Sequence, residues 1–424
     1  MRTSSTDPDS RRAVITGIGI VSALGLGKEA FWSGLKAECS PVRRLTLFDT
    51  SKTKAKHAAW IDDWQPETWI AGHRLKRMDR CVQFAVAAAH MAVADARLEQ
   101  SAARPNLRAG VSFGTALGGF GTGELAHALF MQQGASALPP SLGLQVFPGS
   151  TQGNLAIEFG LQGQGTTNTN TCAAGNVALG DALRFIQQGR LDVVIAGAAE
   201  APLTPLIYAA FDRLGTMSST DLDQPYRPYH RQRDGFVMGE GGAMFVVESL
   251  AHARARGAPI YAEILSFAAT NEAHHMSTPE PSGKTLRAAI AQALDDAGLR
   301  GDQIDYINPH ASGTQANDVN ELRHLHAVIG DALGGIPVSG TKPFTGHCLG
   351  AAGAIEIATC LLALEHQWIP PTPGLDAPNP ACSIADVVAK QGRPHRLQHV
   401  LTNSLGFGGI NTALVLGKVR EETS

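Results

Sequence analysis

Short runs of β-branched and other apolar residues alternate with longer Ala- and Leu-rich runs along nearly the whole chain. No other feature limits the fold as strongly. RAVITGIGIVS, from Arg12 to Ser22, reads as a strand leading into a glycine turn. CVQFAVAAAHMAVADARL and TLRAAIAQALDDAGL have the length and composition of helices. LDVVIAGAAE, AMFVVESL and TALVLGKV are continuous apolar runs of the kind found in strands buried on both faces. Strands separated by helices predict an α/β fold whose helices cover a largely buried sheet.

The pattern also repeats. Each half opens on a strand (AVITGIGIVS; IYAEILSFAAT) and closes with a glycine-rich stretch running into an apolar strand (GFVMGEGGAMFVVES; GFGGINTALVLG). A duplicated α/β unit follows, with its boundary between Ala251 and Pro259 and halves spanning 12–255 and 256–420. No low-complexity linker separates them, so they should pack as one body. A length of 424 residues with 44% hydrophobic content suffices for that core.

Charge and cysteine usage remove several functional classes. The net charge is −3, with Lys and Arg dispersed, which argues against a nucleic-acid binder but leaves room for an acidic partner on a local basic patch. None of the six cysteines forms a CxxC pair, so a zinc site and disulfides are both unexpected, and reduced thiols in a cytoplasm fit better. The N-terminal MRTSSTDPDSRRA is polar and reads as a flexible leader-free segment. LGAAGAIEIATCLLAL is too short to span a bilayer and carries Glu356, which favours a buried helix.

Four stretches carry candidate chemistry. Cys172 follows the polar run TTNTNT and precedes a small-residue helix, AAGNVALGDALRFIQQG. A thiol at a helix N-terminus meets unpaired N–H groups, which favour thiolate and lower its pKa from about 8.5 by a unit or more. The small residues Ala173, Ala174 and Gly175 leave a substrate room to approach. The competing reading is an inert core cysteine. His310, in INPHASGTQANDVNE, sits where an apolar run ends at Pro309, and Lys342 and His347 share the loop SGTKPFTGHCLGAAGA before an apolar helix. Such strand ends and loop-to-helix turns are where α/β enzymes place catalytic groups. Taken singly, each of these, among fifteen histidines, is also an ordinary structural residue. In LTNSLGFGGIN, Gly406, Gly408 and Gly409 permit a backbone that aims N–H groups at an oxyanion, or form a plain turn.

Taken together, TCAAG, YRPYHRQRDGFVMGEGG, NPHASGT…ND..E, GTKPFTGHCLGAAGAIE and NSLGFGGIN resemble, in order, the motifs of the elongating β-ketoacyl-[acyl-carrier-protein] synthases, from about Arg12 to Lys418. The resemblance implies a thiolase-like fold: two duplicated βαβαβαββ halves in a five-layer αβαβα sandwich, normally a homodimer. It implies Cys172 as nucleophile, His310 and His347 as the histidine pair, and Lys342 with Glu321 in support. Phe407 falls at the acyl-pocket gate, its N–H joining that of Cys172 in an oxyanion hole. Ser312 and Thr314 fall where hydroxyls hold a pantetheine arm, and Leu117 and Gly408 fall in the substrate pocket. The implied reaction is a decarboxylative Claisen condensation of an acyl thioester with a malonyl thioester. Both substrates ride on the phosphopantetheine of an acyl carrier protein, and no cofactor or metal is needed.

Three departures from the family pattern stand out: HASGT at the first histidine, RPYH (Arg227 to His230) for the family's RPFD, and CAAG after the nucleophile. HASGT tilts the pathway from fatty-acid towards polyketide or polyene assembly. A degradative thiolase needs a second cysteine where this chain has GFGG, and Cys348 reads instead as core. A starter-type synthase with Asn403 or Asn411 as its asparagine conflicts with GTKPFTGH. A chain-length-factor-like subunit of a heterodimer is the alternative from a different class, and Cys172 speaks against it. For carrier docking, HRLKRMDR offers Arg74, Lys76, Arg77 and Arg80, and a second basic group comprises Arg227, Arg231 and Arg233.

Overall fold

A computed structural model describes residues 8–101 and 103–419. Residues 1–7 of the polar N-terminal segment, and Arg420 at the end of the second half as bounded above, lie outside them. The first half supplies β1 (Ala13–Ser22), β2 (Ala109–Gly114), β3 (Gly165–Asn168), β4 (Val193–Glu200) and β5 (Gly241–Ser249). The second supplies β6 (Ala262–Asn271), β7 (Tyr306–Asn308), β8 (Pro337–Val338), β9 (His399–Gly406) and β10 (Ile410–Gly417). Helices α1 (Arg80–Asp95), α2 (Ser150–Phe159) and α3 (Ala174–Gln187) connect the first four strands, and α4 (Lys284–Asp296), α5 (Asp318–Ile329) and α6 (Ala352–His366) do the same in the second half.

The two halves repeat one topology. Counting outward from the junction, the strand order is β1-β5-β4-β2-β3 on one side and β6-β10-β9-β7-β8 on the other. In each, the first strand pairs antiparallel with the fifth, the fifth antiparallel with the fourth, and the fourth, second and third run parallel. The halves join where Ala13, Val14 and Ile15 of β1 pair antiparallel with Ile264, Glu263 and Ala262 of β6. The duplicated βαβαβαββ fold expected from the sequence is thus present.

The layers follow from which faces are apolar. Helices α3 and α6 are buried over most of their surface and lie between the two halves of the sheet, where one cluster joins Leu179, Leu183, Ile357 and Leu361 to β1, β4, β5 and β10. Separate clusters sit under α1 with α2 and under α4 with α5, giving helix, sheet, helix, sheet, helix. A helix apolar all round belongs in such a central layer. Leu349–His366 is apolar and long enough to cross a membrane by composition, yet it is packed inside the protein.

The run RAVITGIGIVS is the expected strand, β1, and after Ser22 the chain turns so that Gly25 and Leu26 pair back on Ser22 and Val21. A Cβ on Gly19 would lie 1.8 Å from Ala88 O, so the missing side chain lets α1 rest directly on the strand.

Candidate active site

The chain leaves β3 at Asn168, whose Nδ2 donates to the carbonyls of Phe113 (3.3 Å) and Ala174 (3.1 Å) and fixes a sharp elbow. Thr171 takes a left-handed φ of 46°, and Cys172 sits on a single 3-10 turn, Thr171–Ala173, directly before α3. Thr171 Oγ1 donates to Phe407 O (3.1 Å), tying the elbow to the β9–β10 turn. There Gly408 and Gly409, at φ 91° and 79°, supply a backbone that favours glycine. The backbone N–H groups of Phe407 and of Cys172 itself both point at the sulfur.

Two expectations about this elbow fail. Burial pushes the Cys172 thiol up to about 12; Lys342 and the two N–H groups pull against it without prevailing. The thiol is 4% exposed, and the cost of desolvating a thiolate exceeds what a helix terminus returns. Nor do Ala173, Ala174 and Gly175 make room for substrate. They are buried in the core, and a Cβ on Gly175 would lie 2.3 Å from Ala354 N, so their smallness lets α3 meet α6.

His310 follows the end of β7. Its position is set through the backbone: Glu321 accepts from His310 N (2.7 Å) and Ala311 N (2.8 Å), while Asn403 Nδ2 (2.6 Å) and Asn317 Nδ2 (3.0 Å) donate to the same carboxylate. Lys342 Nζ donates to His310 O, pairs with Glu356, and lies 3.4 Å from His310 Nδ1. An ammonium has no lone pair, so Nδ1 is the acceptor and the ring proton resides on Nε2. His347 is held by its own backbone, donating to Val237 O (2.7 Å) and accepting from Gly239 N (3.0 Å). Its ring stands edge-on to His310 (5.4 Å) and to Phe236 (5.0 Å). Burial first, and the Lys342 cation second, hold both imidazoles well below the usual histidine range. Both rings are therefore neutral donors near neutral pH.

These groups converge on one cavity of about 130 Å³, lined by Cys172, His310, His347, Ser312, Thr314 and Phe407 among others. Phe407 stacks on Phe211 at 6.3 Å. Leu117 and Gly408 are not part of its wall. The N–H of Leu117 is bound to Glu200 (3.2 Å), and its side chain packs in a neighbouring cluster with Tyr208, Phe211 and Phe236. Gly408 spends its N–H on Met276 O (2.8 Å).

The basic groups separate into exposed and structural members. Lys76 and Arg77 are exposed. Arg74 pairs with Glu158, Arg80 with Glu240, and Arg227 and Arg233 are 8% and 7% exposed, which leaves only Arg231 of the second group at the surface. The RPYH departure keeps its turn by other means. His230 Nδ1 accepts from Gln232 N (2.9 Å) and Nε2 faces Asp376 (2.9 Å), so an imidazole with a borrowed carboxylate caps the loop. Cys348 is buried against Thr345 O, and Asn403 serves Glu321. Asn411 lines the cavity and donates to Thr285 Oγ1 (3.2 Å).

Four roles went unread in the sequence. Glu356, and not Glu321, is the carboxylate partner of Lys342; an acid inside an otherwise apolar helix was the available signal. Phe236 flanks His347. The segment Glu272 to Pro279 walls the cavity mouth and left no motif to read. Glu200, fully buried and pushed up to about 7 by that burial, accepts from Ala116 N (2.5 Å) and Gly350 N (3.1 Å), binding the loop after β2 to the turn after His347. All six thiols are free, and among the described residues no cluster of three or more His, Cys, Asp or Glu could hold a metal ion.

Comparison with known proteins agrees with this geometry. Residues 10–253 match the β-ketoacyl synthase N-terminal domain and residues 261–376 its C-terminal domain. A putative polyketide β-ketoacyl synthase 1 of Streptomyces halstedii is 39% identical over 417 residues, covering 96% of this chain and 98% of the relative. A 3-oxoacyl-[acyl-carrier-protein] synthase 2 of Synechocystis is 36% identical over 412 residues, covering 97% and 99%. A type II ketosynthase solved with its acyl carrier protein and bound hexaketide superposes with TM-score 0.89 at 32% identity, covering 96% of this chain and 100% of that one. The ishigamide ketosynthase/chain length factor does so with TM-score 0.89 at 35% identity, covering 97% and 100%. Both domain models in order, and relatives 36–39% identical over nearly the whole length, show that the chain belongs to the β-ketoacyl synthase family.

Proposed function

We propose that this chain is the condensing subunit of a carrier-dependent synthase, acting through Cys172, His310 and His347. The observation that carries the reading is the convergence of one sulfur, two N–H groups aimed at it and two neutral imidazoles on a single cavity. The acyl thioester of a carrier protein is attacked by the Cys172 sulfur, and the thiol proton leaves with the carrier's pantetheine sulfur. The oxyanion formed on the way lies against the N–H groups of Phe407 and Cys172, each worth about 3 kcal/mol by analogy with similar donors. A malonyl thioester then loses CO2, and its enolate oxygen takes hydrogen bonds from His310 Nε2 and His347. The resulting carbanion attacks the acyl-Cys172 ester, the same two N–H groups receive the new oxyanion, and the sulfur departs. The product is a 3-oxoacyl thioester two carbons longer.

Lys342 serves this scheme by charge. After burial, it is the second influence that keeps His310 and His347 neutral, and neutral rings stabilise an enolate without first surrendering a proton. Glu321 fixes the backbone of His310, and Ser312 and Thr314 line the approach for a pantetheine arm. The exposed Lys76 and Arg77 are the residues of the first basic group free to meet an acidic carrier, and a cytoplasmic setting fits six free thiols. A polyketide or polyene pathway is favoured by the Streptomyces relative and the hexaketide-bound neighbour. In a heterodimer like the ishigamide pair this chain takes the cysteine-bearing role.

The test is intact-protein mass spectrometry after incubation with acyl-carrier thioesters of graded length, beside Cys172→Ala. The expected result is a mass gain of one acyl group that the variant lacks. No gain with any chain length transfers the nucleophile's role to a partner subunit and leaves this chain a chain-length factor.

A further inference from the structure

The loop that carries Ser312 and Thr314 does not hold its shape unaided. Ala311 and Gly313 flank Ser312 with left-handed φ values of 40° and 79°. Such a conformation costs an alanine roughly 1–2 kcal/mol, so the surroundings must impose it. On the N–H side they do: Glu321 takes His310 N and Ala311 N, and Asp318 Oδ1 takes Gly313 N (3.0 Å). On the carbonyl side one residue does the same. Arg233 Nε donates to Thr314 O and Nη2 to Gln315 O, both at 2.9 Å.

Arg233 is itself fixed. It is 7% exposed, its Nη1 donates to His230 O (3.3 Å), and its Nε lies 3.5 Å from Asp318. Every nitrogen of the guanidinium is therefore committed to this loop or to its anchor. A planar fork offers two nitrogens at a fixed spacing to two successive carbonyls, which the single nitrogen of an ammonium does not. The consequence reaches the cavity, because Ser312 and Thr314 hydroxyls lie 3.0 Å apart and Thr314 Oγ1 accepts from Asn317 N (3.2 Å). Their directions are thus set by a backbone that Arg233 holds from behind.

We propose that Arg233 is a positioning residue that aims the Ser312 and Thr314 hydroxyls at the amide-bearing arm of a pantetheine thioester. The proposal rests on the carrier-dependent reading above. Arg233 touches no substrate; it acts through the loop.

The experiment measures acylation of Cys172 by two short acyl thioesters, one of free pantetheine and one of ethanethiol, which has no amide to bind. Arg233→Lys keeps a cation beside Asp318 and removes the fork; Arg233→Met removes both. Denaturation midpoints accompany the kinetics. For Arg233→Lys the expected result is a fall of about tenfold in the ratio of pantetheine to ethanethiol reactivity, through KM and not through the acylation step. For Arg233→Met the fall is at least as large. An unchanged ratio in a folded Arg233→Lys variant, or equal slowing of both thioesters, overturns the positioning role. Failure of the parent protein to acylate Cys172 with either thioester overturns the carrier-dependent reading instead.

Discussion

Replacing Lys342 by Met tests the electrostatic logic of the site most directly. The Nζ of Lys342 and the carboxylate of Glu356 are 2% and 3% exposed, so the range for buried pairs applies and not the near-zero range for surface pairs. Removing one partner leaves Glu356 uncompensated, at a cost of about 3–5 kcal/mol, provided it stays ionised. Burial already pushes Glu356 up and Lys342 opposes that push, so the variant's carboxyl takes up a proton and recovers part of the loss. Lys342→Met with Glu356→Gln removes both charges. What remains is chiefly the lost bond to His310 O, about 1–2 kcal/mol, so the double variant should be more stable than Lys342→Met by at most roughly 2–3 kcal/mol, a gap that widens as pH rises and Glu356 ionises. The second consequence is chemical. Malonyl decarboxylation, followed as CO2 release, should be level from pH 8 to 6.5 in the parent, because both imidazoles titrate well below 6.5. Without Lys342 both titrate higher while burial still holds them below the ordinary histidine range, so the acid limb should move upward and remain below pH 6.5. A double variant no more stable than Lys342→Met, together with an unmoved acid limb, refutes the assignment of Lys342 as the cation that keeps the histidines neutral.

Further outcomes follow from single contacts. Alkylation of Cys172 by iodoacetamide should accelerate about tenfold per pH unit from pH 7 to 10, since burial holds the thiol at about 12; a plateau below pH 9 contradicts this. Lys76→Glu with Arg77→Glu should raise KM for carrier-bound substrate and not for a small thioester, and an equal rise for both removes the docking role. Gly175→Ala places a Cβ 2.3 Å from Ala354 N, and the resulting shift of α3 against α6 should cost about 1–3 kcal/mol by denaturation; a neutral result contradicts so close a crossing. His310, His347 and His230 are all held below their unfolded pKa, so their contribution to stability is complete above about pH 6.5 and is lost progressively as pH falls from there towards their folded values. A denaturation midpoint level from pH 7 to 5.5 counts against buried neutral rings.

The strand and helix runs, the duplication and the residues at the cavity were legible because each leaves a local mark. Val193–Glu200 is apolar over both faces, and Cys172, His310 and His347 sit where a run of one period ends. What stayed hidden depends on burial and long-range pairing. The Cys172 thiol was read from its place before a helix, but its titration is set by how little solvent reaches it. Arg227 and Arg233 looked like surface charge, since nothing in RPYHRQRDG says that both are buried or that Arg233 folds beneath the His310 loop. Glu321 and Glu356 were both in view, yet which of them meets Lys342 depends on Glu321 being taken up by His310 N, Ala311 N and Asn403, contacts between distant segments. Leu117 was placed in the cavity by analogy, and Glu200, more than eighty residues on, holds its loop elsewhere.

The repeat explains why these groups meet at all. Cys172 stands between the third strand of the first half and helix α3; Lys342 and His347 stand between the third strand of the second half and helix α6. These are equivalent places in the two halves, and they adjoin because α3 and α6 touch at Gly175 and Ala354 in the central layer. The repeat has diverged in chemistry while keeping its geometry: one copy of the turn carries a sulfur, the other a cation and an imidazole. His310 and the Phe407 N–H also come from the second half, so in the proposed reaction the first half supplies the sulfur and its own N–H, and the second supplies both imidazoles and the other N–H. Neither half is a partial catalyst. The α3–α6 crossing and the three-residue pairing of β1 with β6 are therefore requirements of the chemistry as well as of the fold. A shift at Gly175 that leaves each half folded should abolish condensation, because it separates the sulfur from the imidazoles.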